Sequence, residues 1–95
     1  MTKAPHHWKL YIIEASDSSL YTGITTDIER RFEEHAQGQK GAKYFNGRRP
    51  LGVVYHEDGH SRSSASRREA EIKKLSRREK RALIAGQRQP GADHA

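Results

Sequence analysis

The stretch that decides the fold runs K-L-Y-I-I-E-A-S-D-S-S-L-Y-T-G-I-T-T-D-I-E-R-R-F-E-E-H, from Lys9 to His35. Two short tyrosine-bearing apolar runs flank a break of turn residues. Trp8 to Glu14 alternates Leu10/Ile12 against Tyr11/Ile13, and Leu20 to Thr25 alternates Leu20/Thr22/Ile24 against Tyr21/Gly23/Thr25. Ala15-Ser16-Asp17-Ser18-Ser19 between them is turn chemistry, so the spacing predicts a β-hairpin with a loop of roughly five residues. Tyr11 and Tyr21 then share a face. Gly23 lies on it too, without a side chain, so something can approach its backbone closely.

A helix follows at once. Thr26-Asp27-Ile28-Glu29 fits a capping box with Thr26 as N-cap, and the helix stops before Gly38. At about 100° per residue, Ile28, Phe32 and Ala36 form one stripe. Arg31 falls about 60° to one side of Ile28 and His35 about 20° from it. A solvated cation belongs on the opposite side, so this placement puts Arg31 and His35 on the border of a pocket.

Further along, Gly38 to Arg49 is rich in Gly, Lys and Arg. Lys40, Lys43, Arg48 and Arg49 interleave with Tyr44 and Phe45. This reads as a backbone-binding loop in which the cations contact phosphate and the aromatics mainly anchor the loop, with a helical turn around Ala42–Phe45. Pro50 to Glu57 is a third strand, and Pro50 suits its first position. Ser61 to Leu75 reads as a helix with Ala65, Ile72 and Leu75 as its apolar side. Glu69 lies about 40° from Ala65 and about 60° from Ile72, inside that stripe. A carboxylate on a buried face must pair with a cation or coordinate one. Ser76 to Glu79 is another capping box. It opens a last helix with an apolar patch at Ala82, Leu83 and Ile84, ending at Gly86.

These residues resemble the GIY-YIG nuclease domain. The resemblance rests on Lys9-Leu10-Tyr11 and Tyr21-Thr22-Gly23, their tyrosines ten residues apart, followed by Arg31, His35 and a later helical Glu69. The first triad carries Lys9 in place of Gly, and the second carries Thr22 in place of Ile. The likeness extends to about Leu83. The Gly41-Ala42-Lys43-Tyr44 run and the run from Arg68 to Leu75 look like the small single-domain bacterial YhbQ-like group. The resemblance implies a tyrosine activating water, Arg31 on the scissile phosphate, Glu69 holding a single divalent ion (Mg²⁺ or Mn²⁺), and no covalent intermediate. In this allocation Tyr21 takes the proton of the water, His35 accepts it in turn or orients Tyr21, and Tyr11 positions water or phosphate. Gly23 keeps the floor of the site open, and Lys40, Lys43, Tyr44, Arg48 and Arg49 bind the strand.

The remaining bounds agree. Ninety-five residues allow one domain with a modest core, and 33% are hydrophobic against 32% charged. A net charge of +6 favours an anionic partner, nucleic acid first. Without cysteine there are no disulfides or thiolate metal sites. No run has membrane length and no signal peptide is evident, which predicts a cytosolic protein.

The expectation is therefore an α/β (α+β) domain: a three-stranded antiparallel sheet flanked by helices, in the order β-β-α-β-α-α. Residues 1–7 form a flexible arm, 8–86 the domain and 87–95 a disordered tail. The expected activity is divalent-metal-dependent endonucleolytic hydrolysis of DNA, in repair or processing, with a protein partner supplying specificity. Two other readings of the same residues are a nucleic-acid-binding module with a vestigial site and a basic protein-interaction adaptor.

Overall fold

Four consecutive apolar side chains, Leu10 to Ile13, require cover on both faces of a strand, and the fold supplies it. In a computed structural model that describes residues 7–38 and 43–88, this run is the middle of the central strand. The elements are β1 (Trp8–Ala15), β2 (Leu20–Thr25), α1 (Ile28–Gln37), a 3-10 turn (Lys43–Phe45), β3 (Pro50–His60), α2 (Arg62–Lys73) and α3 (Arg77–Arg88). They form a three-stranded antiparallel sheet in the order β2-β1-β3, the α+β architecture that the sequence predicts.

Alternation along β1 sorts the core into two layers. Leu10 and Ile12 pack with Tyr55, Ile72 and Ile84, on the face covered by α2 and α3. Tyr11, Ile13 and Ala15 pack with Phe45, and Tyr21, Ile28, Phe32 and Tyr44 close that layer from β2, α1 and the 3-10 turn. Phe45 is buried, so the loop is anchored by its aromatics as expected.

The hairpin loop is held by local bonds. Ser18 N–H donates to the Ala15 carbonyl at 2.8 Å, and the Asp17 carboxylate accepts from Ser19 N–H at 3.1 Å. Ser18 takes a positive φ of 71° to close the turn. The loop is fastened to the start of β3 by Ser16 N–H donating to the Arg49 carbonyl at 2.7 Å, and by Arg49 N–H donating to Ser16 Oγ at 2.9 Å.

Four local details differ from the sequence reading. The N-cap of α1 is Asp27, not Thr26. Asp27 accepts from Arg30 N–H at 3.0 Å, while Thr25 Oγ1 accepts from Asp27 N–H at 3.1 Å. The helix thereby starts one residue later. Ala36 is exposed, and the buried residue of α1 is His35. The third strand continues through Asp58-Gly59 to His60 because β1 still pairs there, Trp8 opposite His60. Finally, α3 does not end at Gly86 but runs to Arg88, because Gln87 grips the backbone of β3. Gln87 Nε2 donates to the His56 carbonyl at 2.8 Å, and His56 N–H donates to Gln87 Oε1 at 3.1 Å. Of the arm expected at 1–7 and the tail expected at 87–95, residues 1–6 and 89–95 lie outside the described residues.

Candidate active site

The centre of the set is Tyr11, because strand register leaves its side chain nowhere else to go. Tyr11 lies opposite Gly23 in the β1–β2 ladder. Its ring crosses the glycine so closely that a Cβ there would sit 2.6 Å from the phenol oxygen and 2.8 Å from Cζ. What approaches Gly23 is therefore the end of Tyr11 itself, and Gly23 is needed to admit it.

The Tyr11 hydroxyl is 3.1 Å from Nε2 of His35 and is also bonded by the Arg31 guanidinium. The direction of each bond follows from donor chemistry. Arginine has donors only, so the Tyr11 oxygen accepts from Arg31. The phenol proton then points to His35, whose Nε2 accepts it, so the imidazole proton belongs on Nδ1. Acidities agree with that assignment. Burial, and then the neighbouring Tyr21, push the Tyr11 pKa well above the ordinary phenol value. Burial, and then the charge of Arg31, bring His35 down to about 4. Near neutral pH the pair is an intact phenol on a neutral imidazole.

Arg31 is also clamped from within α1, where Glu34 Oε1 lies 2.8 Å from Nη1. That bond is the main reason the guanidinium holds its proton even more firmly than usual. The side chain is still 28% exposed, so part of its fork faces outward.

Tyr21 stands beside this group. Its ring is 6.3 Å from Tyr11 and meets His35 edge-on at 5.2 Å between centroids. It also contacts Tyr44 at 5.1 Å and Phe45 at 5.2 Å. Four rings thus fix Tyr21 by packing, while its hydroxyl has no protein partner among the described residues.

Glu69 is the outlying member. It reaches the group from α2 as a negative charge opposing ionisation of Tyr11, the smallest of the named influences on that phenol. Its side chain is 23% exposed and pairs with Lys73 at 3.1 Å, one helical turn on. No group of three or more metal-ligating side chains occurs among the described residues. The donor chemistry therefore fits a hard, hydrated cation, which binds through one or two carboxylates and keeps several waters. It does not fit a closed protein cage.

This constellation, built from β1, β2, α1 and α2, coincides with a family signature. The family model for the GIY-YIG catalytic domain matches residues 7–82. The chain belongs to the GIY-YIG family. Among its relatives is a UPF0213 protein of Desulfotalea psychrophila, 51% identical over 77 residues, which cover 81% of this chain and 70% of that protein. The UPF0213 protein YhbQ of Escherichia coli is 46% identical over 78 residues, 82% of this chain and 77% of its own. The solution structure of a UPF0213 protein from Bacillus halodurans is also similar, with a TM-score of 0.56 and 46% identity over 87% of each chain. Within this GIY-YIG domain the first triad keeps its tyrosine in the most buried position of the site, and the second keeps its glycine under that tyrosine.

The loop residues are spread more widely. Arg48 lies over the Tyr44 ring at 4.3 Å and pairs with Asp17 at 3.1 Å. Lys43 and Arg49 are exposed, and Lys40 lies outside the described residues. A concavity of about 700 Å³ between α1 and β3 is elsewhere. It is lined by Asp27, Glu29 and Glu33 among others and holds no member of the set. Sequence reasoning did not find the cluster in which Glu57 accepts from Tyr55, His60 and Arg68. Its only sequence signal is the Tyr55-His56-Glu57 alternation, which puts two polar tips on one strand face.

Proposed function

We propose that the chain is a divalent-cation-assisted endonuclease that hydrolyses DNA phosphodiester bonds. One observation carries this reading: the Tyr11 hydroxyl faces both Arg31 and His35 in a buried cluster, beside a Tyr21 hydroxyl with no partner among the described residues. Membership of the GIY-YIG family and the net charge of +6 support a nucleic-acid substrate.

Arg31 offers a planar fork of donors to the phosphate oxygens, and Glu34 and Tyr11 hold that fork in place. Tyr11 keeps its proton and is therefore a positioning group, not a base. Tyr21, whose hydroxyl has no protein partner among the described residues, orients the attacking water and relays its proton. His35 holds Tyr11 from one side and packs against Tyr21 from the other. Glu69 would hold a Mg²⁺ or Mn²⁺ ion, which supplies charge stabilisation at the phosphate and the leaving oxygen. Before it can do so, the carboxylate must exchange its bond to Lys73.

The test is a cleavage assay with Mg²⁺ or Mn²⁺ on single-stranded, duplex, flap and branched DNA. Arg31→Ala is expected to lower the rate by about 10²-fold or more, as loss of a charge-stabilising donor does. Glu69→Gln is expected to abolish the metal response. Cleavage that survives both substitutions, or salt-sensitive binding with no cleavage, would end the proposal.

A further inference from the structure

One stripe of α3 brings cations to the edge of a cleft. On α3, Arg77, Lys80, Arg81 and Ile84 recur at helical spacing and form one stripe. Ile84 is in the core. Arg81 donates to Glu14 and to the Ser18 carbonyl, at 3.1 and 3.0 Å, and so docks the helix on the hairpin loop. Arg77 and Lys80 lie one turn nearer the helix start on the same stripe. Neither side chain has a carboxylate or hydrogen-bond partner among the described residues. Together with Ser19, Leu20 and Tyr44 they line a cleft of about 190 Å³.

Two cations side by side on one cleft, with no partner among the described residues, repel each other, so the arrangement calls for an anion. Asp17, the acid of the adjoining loop, is already occupied by Arg48 and Ser19. Tyr44 is the wall shared with the candidate active site, since its ring lies 5.1 Å from that of Tyr21. An anion in the cleft is therefore one aromatic residue away from the Tyr11–Tyr21–Arg31 group.

We propose that this cleft is a second phosphate site, in which Arg77 and Lys80 take a backbone phosphate of the substrate strand while Tyr44 separates it from the phosphate being cleaved. The inference rests on the nuclease reading for its ligand, but its test does not require cleavage. Binding of a labelled single-stranded DNA of about 16 nucleotides, ample for small strand-binding folds, is followed by fluorescence anisotropy across a KCl series in EDTA. The slope of log K against log salt is expected to shrink by about 0.7 in Arg77→Ala/Lys80→Ala, the amount for one phosphate on a single strand. The charge-preserving Arg77→Lys/Lys80→Arg pair is expected to keep the wild-type slope. Arg67→Ala/Lys74→Ala, which removes the same charge from exposed positions associated with α2, is expected to keep it too. An unchanged slope in the first variant, an equal loss in the α2 variant, or no DNA binding by the wild type at low salt would overturn the site. A wild type that binds with this slope pattern but never cleaves supports the site and sinks the nuclease reading. A wild type that cleaves, with slopes insensitive to Arg77 and Lys80, sinks the site alone.

Discussion

The Tyr11 hydroxyl and Nε2 of His35 share a hydrogen bond of 3.1 Å, and both residues are almost wholly removed from solvent. This bond couples the first strand to the end of α1. Removing it with Tyr11→Phe takes from the His35 nitrogen its partner in this apolar layer and takes from Arg31 the phenol oxygen it faces. The expected loss is about 1–3 kcal/mol of stability, the usual effect of leaving a buried acceptor unsatisfied. Urea denaturation reads it. Cleavage is expected to fall further than the lost stability explains.

His35 also sets a pH dependence. Its folded pKa is about 4 against an ordinary 6.5, because it is buried and faces Arg31, with Glu34 only partly offsetting. Between those values the unfolded chain binds a proton that the folded chain refuses. Stability is therefore complete above about 6.5 and declines as pH falls towards 4, by on the order of 2 kcal/mol. Denaturation midpoints at several pH values between these limits measure it. His35→Gln is expected to flatten the profile there, and an equally steep decline in the variant would refute the assignment.

Gly23→Ala tests the crossing of Tyr11 over β2. A methyl group 2.6–2.8 Å from the phenol forces the ring aside. Overpacking of this kind costs about 1–3 kcal/mol. Here it also moves the hydroxyl off Arg31 and His35. Thermal unfolding and cleavage are both expected to suffer, with chemical-shift changes at His35.

Thr22 offers the opposite sign. Its hydroxyl is buried without a hydrogen-bond partner among the described residues, on the face where it stands opposite Ile12. Thr22→Val replaces an unsatisfied polar atom with a methyl group and is expected to stabilise the fold by about 0.5–1 kcal/mol. A lowered unfolding temperature would contradict this account.

Much of this was legible in the sequence. Alternation and turn residues marked the hairpin, and helical spacing put Arg31, His35 and Glu69 on inward-facing sides. What stayed hidden depends on partners from distant elements. Periodicity put Ala36 in the apolar stripe, but the stripe turns towards His35 because Tyr11 waits there. Gly86 looked like a helix end, yet the contact of Gln87 with β3 carries the helix past it. Thr26 and Asp27 are both good caps, and only the backbone entering from β2 selects the second. The bond between Tyr11 and His35 was hidden as well, because a contact between two segments 24 residues apart leaves no local trace.

The grip of Gln87 on His56 has a consequence for how copies of the chain meet. β3 is a border strand, and its outward amides and carbonyls are a template on which another strand can grow. At His56 a side-chain amide occupies that rung from both sides, imitating a neighbouring strand for one residue and ending the template there. Register irregularities between β1 and β3 bend the same border. A strand added along this border would have to stop short of His56, where no backbone amide or carbonyl is left to offer it.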